Sequence, residues 1–405
     1  MIKNLSILTI LLMCGINANV TAQIYDVEQG CLVESLGGPC LPNTLLTATP
    51  FLRINPDARS GGMGDAGIGV SADPNALHYN ASKLAFAEND LSLSATYTPW
   101  LRQLGLQDVY LAYLTGYKKI NDLQALGFGI RFFSLGDIAF TDIQGNPAGT
   151  GKPREFDISF AYSRKLAENF SAALTAKYIY SNLAAGQQLS PGVDVSIGNA
   201  FAADLSLTYM MPINMGDYGS DLTIGLAVTN MGSKLTYTRD ATKDYLPGNL
   251  GIGAAWKIDF DEYNSFTIAA DINKLLVPTP VPFQDTENYD KDENGTPDYK
   301  ELSFFNAAVG SFADASGGFS EEFSEIYYSL GVEYWYDNQF AVRAGYYYES
   351  PLKGDRQFLT VGLGIKYNVF GMNLSYLVPT SSRKGPLDNT LRFGLIYDFG
   401  SAGIE

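Results

Sequence analysis

The chain has 405 residues, a length that fits either two ordinary soluble domains or one large barrel. Charged residues make up only 17% of it, below the ~25% usual for soluble domains, and it contains 26 tyrosines and 23 phenylalanines. The net charge of −16 argues against nucleic acid as a partner, because phosphate binding needs clustered lysine and arginine.

The first 22 residues have the features of a secretory signal peptide. Lys3 supplies a positive charge, residues 7–13 form an apolar core, and small residues precede a cleavage site that would leave Gln23 as the first mature residue. Processing as a lipoprotein at Cys14 is the weaker alternative, because Met13 stands where glycine or alanine is required. No further apolar stretch of ~20 residues follows, so a membrane location would require a closed barrel.

Cleavage of this peptide leaves Cys31 and Cys40 as the only pair of cysteines. A structural disulfide that closes a small loop is their expected role in an oxidising compartment. A redox or metal site would instead need C-x-x-C spacing or nearby histidine, and the sequence offers neither.

Residues 50–90 do not alternate between polar and apolar positions, and they contain a glycine-rich run. Gly62, Gly64 and Gly67 formally match the dinucleotide-binding fingerprint, which requires a strand before it and a helix after it. No hydrophobic strand precedes the run, so we interpret the match as accidental. We predict that residues 23–90 form a separate N-terminal segment.

From residue 91 to residue 399 the sequence alternates with period two, which is the periodicity of strands. The alternating segments have the ~9–11 or more residues that a tilted membrane strand needs, whereas soluble strands average ~5–6. The prediction is all-β: a transmembrane antiparallel β-barrel of about fourteen strands, followed by a C-terminal tail at 400–405. The fourteen segments are 91–99, 107–117, 123–134, 155–166, 169–182, 198–210, 221–231, 246–258, 264–274, 325–337, 338–349, 356–367, 371–379 and 388–399.

The connections between these segments alternate in length. Those after even-numbered segments are short, whereas several after odd-numbered segments are long, and the longest covers residues 275–324. Outer-membrane barrels have short periplasmic turns and long external loops, so we predict an outer-membrane location with both termini in the periplasm. A soluble β-sandwich is the alternative, but it would have shorter strands and no such alternation of connections.

Charged residues of both signs recur on the polar face of the segments. This pattern predicts a hydrated lumen with salt bridges, whereas a selective pore would have one sign of charge at a constriction. The predicted inner stripe consists of Arg131, Asp157, Lys177, Asp204, Lys257, Asp271, Glu333, Arg343, Lys366 and Arg392.

Residues 290–301 fit the calcium-loop pattern D-x-[DN]-x-[DN]-G-x5-E in full. Such a loop supplies side-chain oxygens, one backbone carbonyl and a bidentate carboxylate at its last position. Pro297 departs from paired EF-hand loops, so we expect one unpaired loop of ~10⁻⁴–10⁻³ M affinity, and an acidic loop without an ion is the alternative. The predicted ligands are Asp290, Asp292, Asn294, Thr296, Asp298 and Glu301, with Gly295 at the sharp turn.

The sequence does not indicate an enzyme. The only histidine is His78, and no G-x-S-x-G nucleophile motif occurs to pair with it, which also argues against an enzyme acting on lipid A. Clusters of histidine or cysteine that could hold zinc are absent from the sequence. We therefore predict no catalytic residue and no cofactor other than calcium.

The glycine-rich run resembles the N-terminal hatch region of FadL-type barrels, which are fourteen-stranded outer-membrane proteins, several of which carry hydrophobic compounds. The matching residues are Ala58-Arg59, Gly62-Met63-Gly64, Ala66-Gly67, Asp73 and Asn80-Ala81-Ser82. The resemblance implies a periplasmic or hatch role for residues 23–90. It also leaves a channel for the uptake of hydrophobic small molecules as an alternative function.

The second half of the chain is similar to the PorV family, the FadL-like barrels of the type IX secretion system. This resemblance implies a protein that binds a large translocon barrel of the SprA type and collects cargo through the cargo's C-terminal signal domain. It would pass that cargo to a surface attachment and peptidase complex, with outer-membrane lipid as a further partner. The segments that carry the resemblance are 317–322, 329–336, 343–349, 367–371 and 389–393.

Overall fold

The computed structural model covers the barrel and most of the connections between its strands. The predicted signal peptide, the tail at 400–405 and Cys40, and with it the predicted disulfide, lie outside the described residues. The residues that the structure describes are 24–26, 31–33, 44–102, 105–141, 145, 147–190, 193–213, 219–238, 243–281, 289–381, 385 and 388–399.

Fourteen strands form one closed antiparallel barrel, in which each strand pairs with the next along the chain and the last pairs with the first. This confirms the predicted fold class and the predicted number of strands. The strands are β1 Leu91–Pro99, β2 Val109–Asn121, β3 Gln124–Leu135, β4 Arg154–Ala167, β5 Phe170–Asn182, β6 Gly198–Ile213, β7 Ser220–Gly232, β8 Asn249–Asp259, β9 Asn264–Leu275, β10 Ile326–Tyr336, β11 Phe340–Tyr348, β12 Gln357–Tyr367, β13 Phe370–Pro379 and β14 Leu391–Phe399.

Alternation along each strand places polar side chains inside the barrel and apolar side chains outside. In β4, Glu155, Asp157 and Ser163 are buried, whereas Phe160 is 64% exposed. A barrel in lipid needs this arrangement, because its outer face meets hydrocarbon while its backbone polar groups are paired between strands.

The barrel has one end with long connections and one end with short connections, as the sequence predicted. The short connections fall between β2 and β3, and then after every second strand, and have two to six residues. The long connections have eight to fifty residues, and the longest, residues 276–325, joins β9 to β10. We call the two ends of the barrel the long-connection end and the short-connection end.

The remaining elements are short and lie in the connections or before the barrel. No helix among the described residues is long and apolar enough to cross a membrane. The additional strand pairs are Ile24–Asp26 with Cys31–Val33, Ile138–Thr141 with Pro147–Gly151, and Gln188–Ser190 with Val193–Asp194. The helices and helical turns are Pro50–Arg53, Ala58–Gly61, Ala76–Tyr79, Ala81–Phe86, Asp298–Glu301, Phe304–Gly310 and Phe319–Ser324.

Residues 44–90 run through the interior of the barrel from one end to the other, and we call them the lumenal segment. At the long-connection end, the backbone N–H of Ala48 donates to the carbonyl oxygen of Tyr245 at 2.8 Å. At the short-connection end, the backbone N–H of Lys119 donates to the carbonyl oxygen of Asp90 at 2.7 Å. Between these points the segment touches strands all around the wall, so it fills the lumen.

The path of the lumenal segment bears on the predicted position of the termini. The two ends of the barrel sheet, Leu91 and Phe399, pair with each other and lie at the short-connection end, as the alternation of connections predicted. Residues 44–48 lie at the opposite end, because the lumenal segment crosses the barrel once before the first strand begins. The mature amino terminus itself lies outside the described residues, so its predicted periplasmic position stays a prediction.

Candidate functional site

A buried network of charges fixes the lumenal segment to the barrel wall. Arg59 lies in the helical turn that begins after Asp57, whose carboxylate accepts from the first N–H groups of that turn. Arg59 Nε and Nη2 donate to the two carboxylate oxygens of Glu333 on β10 at 2.9 and 2.7 Å. Arg343 on β11 donates from Nε to the same carboxylate at 2.6 Å. One buried carboxylate therefore joins a guanidinium of the segment to a guanidinium of the wall.

Further ion pairs cross the interior at other positions around the wall. Arg131 Nε lies 2.7 Å from Asp157 Oδ1, and Lys177 Nζ lies 2.7 Å from Asp204 Oδ2, with all four side chains almost fully buried. These residues belong to the predicted inner stripe, and the prediction of paired charges of both signs is confirmed. The two stripe members that are only half-buried, near the short-connection end, are Lys257 and Lys366.

The glycine-rich run lets the lumenal segment approach the wall backbone to backbone. Gly64 has a φ of +65°, and a Cβ atom there would lie 2.5 Å from the backbone nitrogen of Tyr346. On the facing strands, a Cβ atom at Gly345 would meet Gly64, and one at Gly331 would lie 2.5 Å from the carbonyl oxygen of Met63. The glycines therefore serve close packing, and their match to a nucleotide-binding fingerprint is accidental.

Two apolar clusters join the lumenal segment to the wall, one towards each end of the barrel. Near the long-connection end, Phe51 and Leu52 pack with Leu235 and Leu246, which come from the connection between β7 and β8. Near the short-connection end, the buried cluster consists of Ala76, Leu77, Ala81, Leu84, Ala87, Tyr117, Ala125, Ala161 and Ala173. The side of the lumen formed by β2 to β6 thus has an apolar cluster towards each end.

A cavity of about 100 Å³ remains between the lumenal segment and the wall. Its lining mixes polar and apolar side chains and includes Arg53, Lys177 and Asp271. His78 also faces this cavity, with its Nδ1 atom 3.5 Å from Arg131 Nη1. The single histidine of the chain is thus a packed lumenal residue beside a guanidinium group.

Glu349, in the connection between β11 and β12, lies between two guanidinium groups. Its Oε2 accepts from Arg356 Nε at 2.5 Å, and its Oε1 accepts from Arg53 Nη2 at 2.7 Å. Burial by itself would raise the pKa of Glu349, but the positive charges of Arg356 and Arg53 outweigh burial and lower the pKa to about 2. The carboxylate is therefore charged at neutral pH and ties the lumenal segment to this connection.

The helix Phe319–Ser324 of the β9–β10 connection is held against the outer side of the wall. Lys274 has the outward-facing parity of β9, yet it is only 7% exposed because this connection covers it. Its Nζ lies 2.5 Å from Glu325 Oε2 and 3.2 Å from Glu322 Oε2. Lys353, from the next long connection, lies 2.9 Å from Glu325 Oε1. These four charges fasten the helix to the rim of the barrel.

The outer side of the same connection exposes large apolar side chains. Phe319 and Phe323 are 76% and 54% exposed, and their ring centroids lie 4.8 Å apart. Phe305 and Val309, on the helix Phe304–Gly310, are also well exposed. Exposed apolar groups gathered on one connection are typical of a surface that contacts another protein or a membrane.

The predicted calcium ligands come together in one exposed loop. Carboxylate oxygens of Asp290, Asp292 and Asp298 lie within 4.8 Å of one another. Asn294 Nδ2 donates to Asp292 Oδ2 at 2.9 Å and to Glu301 Oε1 at 3.0 Å. The first, third, fifth, ninth and twelfth positions of the sequence pattern are therefore neighbours in space.

The backbone of this loop turns where the pattern requires glycine. Gly295 has a φ of +85°, and its N–H donates to Asp290 Oδ2 at 2.8 Å. The N–H of Thr296 donates to the side chain of Asn294 at 2.8 Å. The loop is anchored at its end, because Lys300 Nζ lies 2.8 Å from Asp244 Oδ1 in the connection between β7 and β8.

Two sets of contacts were not anticipated from the sequence. Arg59 belongs to the glycine-rich motif, but its partner Glu333 lies 274 residues away in the chain. Lys274 offered a signal that could have been used, because a charge on the lipid-facing parity of a strand is costly unless something covers it. The sequence does not indicate which acidic residues cover Lys274 and pair with it.

One family model matches this chain. The family model described as "Type IX secretion system protein PorV" matches residues 41–282, more than half of the chain. A search of the curated proteins gives no match.

Solved structures that are similar to this chain include two toluene transporters and a FadL homologue. The P. putida toluene transporter TodX is 13% identical with a TM-score of 0.48, over 84% of this chain and 98% of that chain. The Ralstonia pickettii toluene transporter TbuX is 11% identical with a TM-score of 0.47, over 85% and 97%. A Pseudomonas aeruginosa FadL homologue is 12% identical with a TM-score of 0.42, over 88% and 100%. At such identities and scores the likeness carries no information about what this chain binds.

The matched residues include the lumenal segment and the strands from β1 to β9, so the family match covers both the interior and most of the wall. The chain belongs to the PorV family of type IX secretion system proteins and is an outer-membrane β-barrel.

Proposed function

We propose that this barrel binds a large translocon barrel of the SprA type and carries cargo with a C-terminal signal domain to the surface attachment and peptidase complex. Membership of the PorV family supports a place in type IX secretion. The observation that carries the proposal is the filled, ion-paired lumen, which leaves the outer surface and the long connections as the places where partners can bind. The proposed activity is the binding of other proteins, and no residue is assigned a covalent step.

The alternative function is a channel for the uptake of hydrophobic small molecules. Such a solute needs an apolar path, whereas the lumen here is crossed by buried ion pairs such as Arg59 with Glu333 and Arg131 with Asp157. A lumenal cavity of about 100 Å³ is lined by both polar and apolar groups, among them the charged residues Arg53, Lys177 and Asp271. An apolar cavity of ~150 Å³ is known to admit benzene, whereas this one is smaller and has charged side chains in its lining. The interior therefore favours the binding role.

We propose that the long-connection end faces the outside of the cell and the short-connection end faces the periplasm. Outer-membrane barrels share this arrangement of loop lengths. The exposed phenylalanines of the β9–β10 connection then lie at the outer rim, where a neighbouring translocon or a secreted protein would meet them.

The proposal is tested by affinity purification of the barrel in mild detergent, with the co-purifying proteins identified. We expect a very large outer-membrane barrel together with secreted proteins that carry a common C-terminal domain. The double variant Phe319→Ser and Phe323→Ser should reduce that recovery at least several-fold. Phe260→Ser is the matched control, because Phe260 is 57% exposed but lies in the short connection between β8 and β9.

The opposite result would favour the channel. If no large barrel is recovered, and cells take up a labelled fatty acid or toluene only when this protein is present, the secretion proposal is wrong. If the Phe319 and Phe323 variant recovers partners as well as the wild type does, those partners bind elsewhere on the barrel.

We further propose that the loop at residues 290–301 binds one calcium ion. The supporting features are the full sequence pattern and the convergence of Asp290, Asp292 and Asp298 in the folded loop. Because the loop ends in contacts with the β7–β8 connection, an ion there would stiffen two long connections at once.

Calcium at millimolar concentration should protect the β9–β10 connection from protease. The double variant Asp290→Asn and Asp292→Asn should lose this protection. Glu293→Gln is the matched control, because Glu293 occupies a loop position whose side chain does not coordinate in this pattern. If calcium changes the digestion of neither the wild type nor the control, the loop is an acidic connection without an ion.

A further inference from the structure

Charged side chains are rare on the outer face of the barrel wall, and those present are all basic. At the outward-facing positions of the fourteen described strands there is no aspartate or glutamate. The charged residues at such positions are Lys118 on β2, Arg154 and Arg164 on β4, and Lys274 on β9. A charge on the lipid-facing side of a strand is costly at the middle of the bilayer and costs little at its interfaces. These residues therefore mark levels where the wall meets lipid headgroups or is covered by protein.

Two of these residues, Lys118 and Arg164, lie at the short-connection end. Each is exposed, and each stands three residues before the end of its strand. Near the same end, Lys257 and Lys366 point inwards, and each of them pairs with an aspartate. By contrast, Lys118 and Arg164 form no ion pair with any residue that the structure describes. Two positive charges without protein counter-ions therefore lie at the lipid-facing edge of the wall.

The register of β2, β3 and β4 brings these two side chains to one patch. Lys118 pairs with Leu126 of β3, and Arg164 pairs with Gln124 of the same strand. With ~4.8 Å between neighbouring strands and ~3.3 Å per residue, the Cα atoms of Lys118 and Arg164 lie about 12 Å apart. Lysine and arginine side chains are long, and their charged ends can extend towards headgroups while their stems lie on apolar surface. Both charges can therefore reach one headgroup above β3.

The residues around this patch suit a lipid headgroup with acyl chains beside it. Tyr162 Oη donates to Gln124 Oε1 at 2.8 Å, so the amide nitrogen of Gln124 is a further donor on the strand between the two basic residues. Leu126 and Leu166 are well exposed next to these polar groups. Tyrosine is common at this level of membrane proteins, where its ring contacts the headgroup region. Donors and apolar side chains thus meet at the level of the bilayer surface.

We propose that Lys118, Arg164 and Gln124 bind the phosphate group of an anionic phospholipid, whose acyl chains lie along Leu126 and the wall of β3. Charge complementarity carries the proposal, because the outer wall presents cations at this level and no anion. A phosphate group accepts charge-assisted hydrogen bonds from lysine and arginine, and basic pockets on membrane proteins bind anionic headgroups. In the proposed orientation this lipid belongs to the periplasmic leaflet, but its binding does not depend on that orientation.

The patch gives the barrel two different sides. In the closed ring of fourteen strands, β3 lies opposite β10. At β9 and β10 the outward-facing Lys274 is covered by Glu322 and Glu325 of the β9–β10 connection, which also carries the exposed phenylalanines. Lipid held at β2 to β4 leaves the side of β9 and β10 to a protein partner.

The test measures which lipid lies beside β3, with an introduced tryptophan as a local reporter. Leu126→Trp lies in the patch, and Ile365→Trp on β12 is the matched control, because both positions face outwards, are similarly exposed and stand two residues from the short-connection end of their strands. The purified barrel is reconstituted in vesicles of phosphatidylcholine and phosphatidylglycerol. Quenching by brominated chains of either lipid is compared, after subtraction of the signal of the three native tryptophans.

The expected preference follows from the two charges. A basic residue near an anionic lipid contributes about five-fold, so the Leu126→Trp reporter should prefer phosphatidylglycerol by at least about ten-fold and the Ile365→Trp reporter by less than about two-fold. Adding Lys118→Gln and Arg164→Gln to the Leu126→Trp protein should reduce the preference to that of the control. Arg154→Gln removes an outward charge at the other end of the barrel and should leave the preference unchanged.

Two results would overturn the proposal. One is a preference at Leu126→Trp no greater than at Ile365→Trp, and the other is a preference that survives the loss of both Lys118 and Arg164. Should a tryptophan at position 126 prevent assembly, native mass spectrometry of the unaltered barrel decides the question. Retention of phosphatidylglycerol by the unaltered barrel and its loss from the double variant support the site, whereas equal retention contradicts it.

Discussion

Replacing Glu333 by glutamine should destabilise the folded barrel by about 3–5 kcal/mol. The carboxylate accepts two bonds from Arg59 and one from Arg343, and the side chains of Glu333 and Arg343 are almost completely buried. Glutamine keeps one carbonyl oxygen, but it removes the negative charge and points an N–H group at a guanidinium group. The two arginines then lose the buried carboxylate that they share.

We expect a loss in the lower half of that range, because Arg59 keeps its bonds to Asp73 and Ser71, and Arg343 keeps its bond to Asn373. Arg59 lies 3.2 Å from Asp73 Oδ2, and Arg343 Nη1 donates to Asn373 Oδ1 at 2.9 Å. The double variant Glu333→Gln and Arg343→Gln should recover part of the loss, because one unpaired buried charge is removed.

The assay is denaturant unfolding of the protein in lipid vesicles, followed by the fluorescence of its three tryptophans. Asp137→Asn is the control: its ion pair with Lys152 joins side chains that are 64% and 79% exposed, so its loss should cost less than about 1 kcal/mol. If Glu333→Gln destabilises no more than Asp137→Asn does, the charge network does not hold the lumenal segment, and the filled lumen loses its main support.

Three further predictions concern the lumenal segment and the rim. The pKa of Glu349 is about 2 in the folded protein and ~4.3 in the unfolded chain. Its charge should therefore add roughly 2–3 kcal/mol to the free energy of unfolding above pH ~4.3, and this stabilisation should be lost as the pH falls towards 2. The free energy of unfolding of Glu349→Gln should lack this pH dependence. Gly64→Ala should make the lumenal segment accessible to protease, because the added Cβ atom would clash with the wall. Gly186→Ala is the control: its φ is +86° and no atom lies within 4 Å of an added Cβ, so it should show only the ~1–2 kcal/mol cost of positive φ. Phe51→Ala should lower the free energy of unfolding by about 3–5 kcal/mol, and a loss below 1 kcal/mol would mean that the apolar layer near the long-connection end is loosely packed.

The strands of this protein are encoded locally, and so they could be predicted from the sequence. A strand needs only that every second side chain suits lipid and the others suit the interior, and this period is visible without any knowledge of partners. The predicted segment 264–274, for example, corresponds to the strand Asn264–Leu275. The alternation of short and long connections was equally visible, because it depends on the distances between strands along the chain. The candidate calcium loop belongs with these local features, since its ligands lie within twelve consecutive residues.

The interior was decided by the tertiary structure alone. Alternation shows that Glu333 points inwards, but it does not say which of the other inward residues will face it across a closed wall. Arg59, its partner, lies in a segment with no periodic pattern, 274 residues earlier in the chain. The direction in which that segment crosses the lumen was also hidden, because it depends on contacts between Leu45 and residues of three separate connections and strands. Closing a barrel brings every inner face towards every other, and only packing and charge pairing in that shared space select among the combinations.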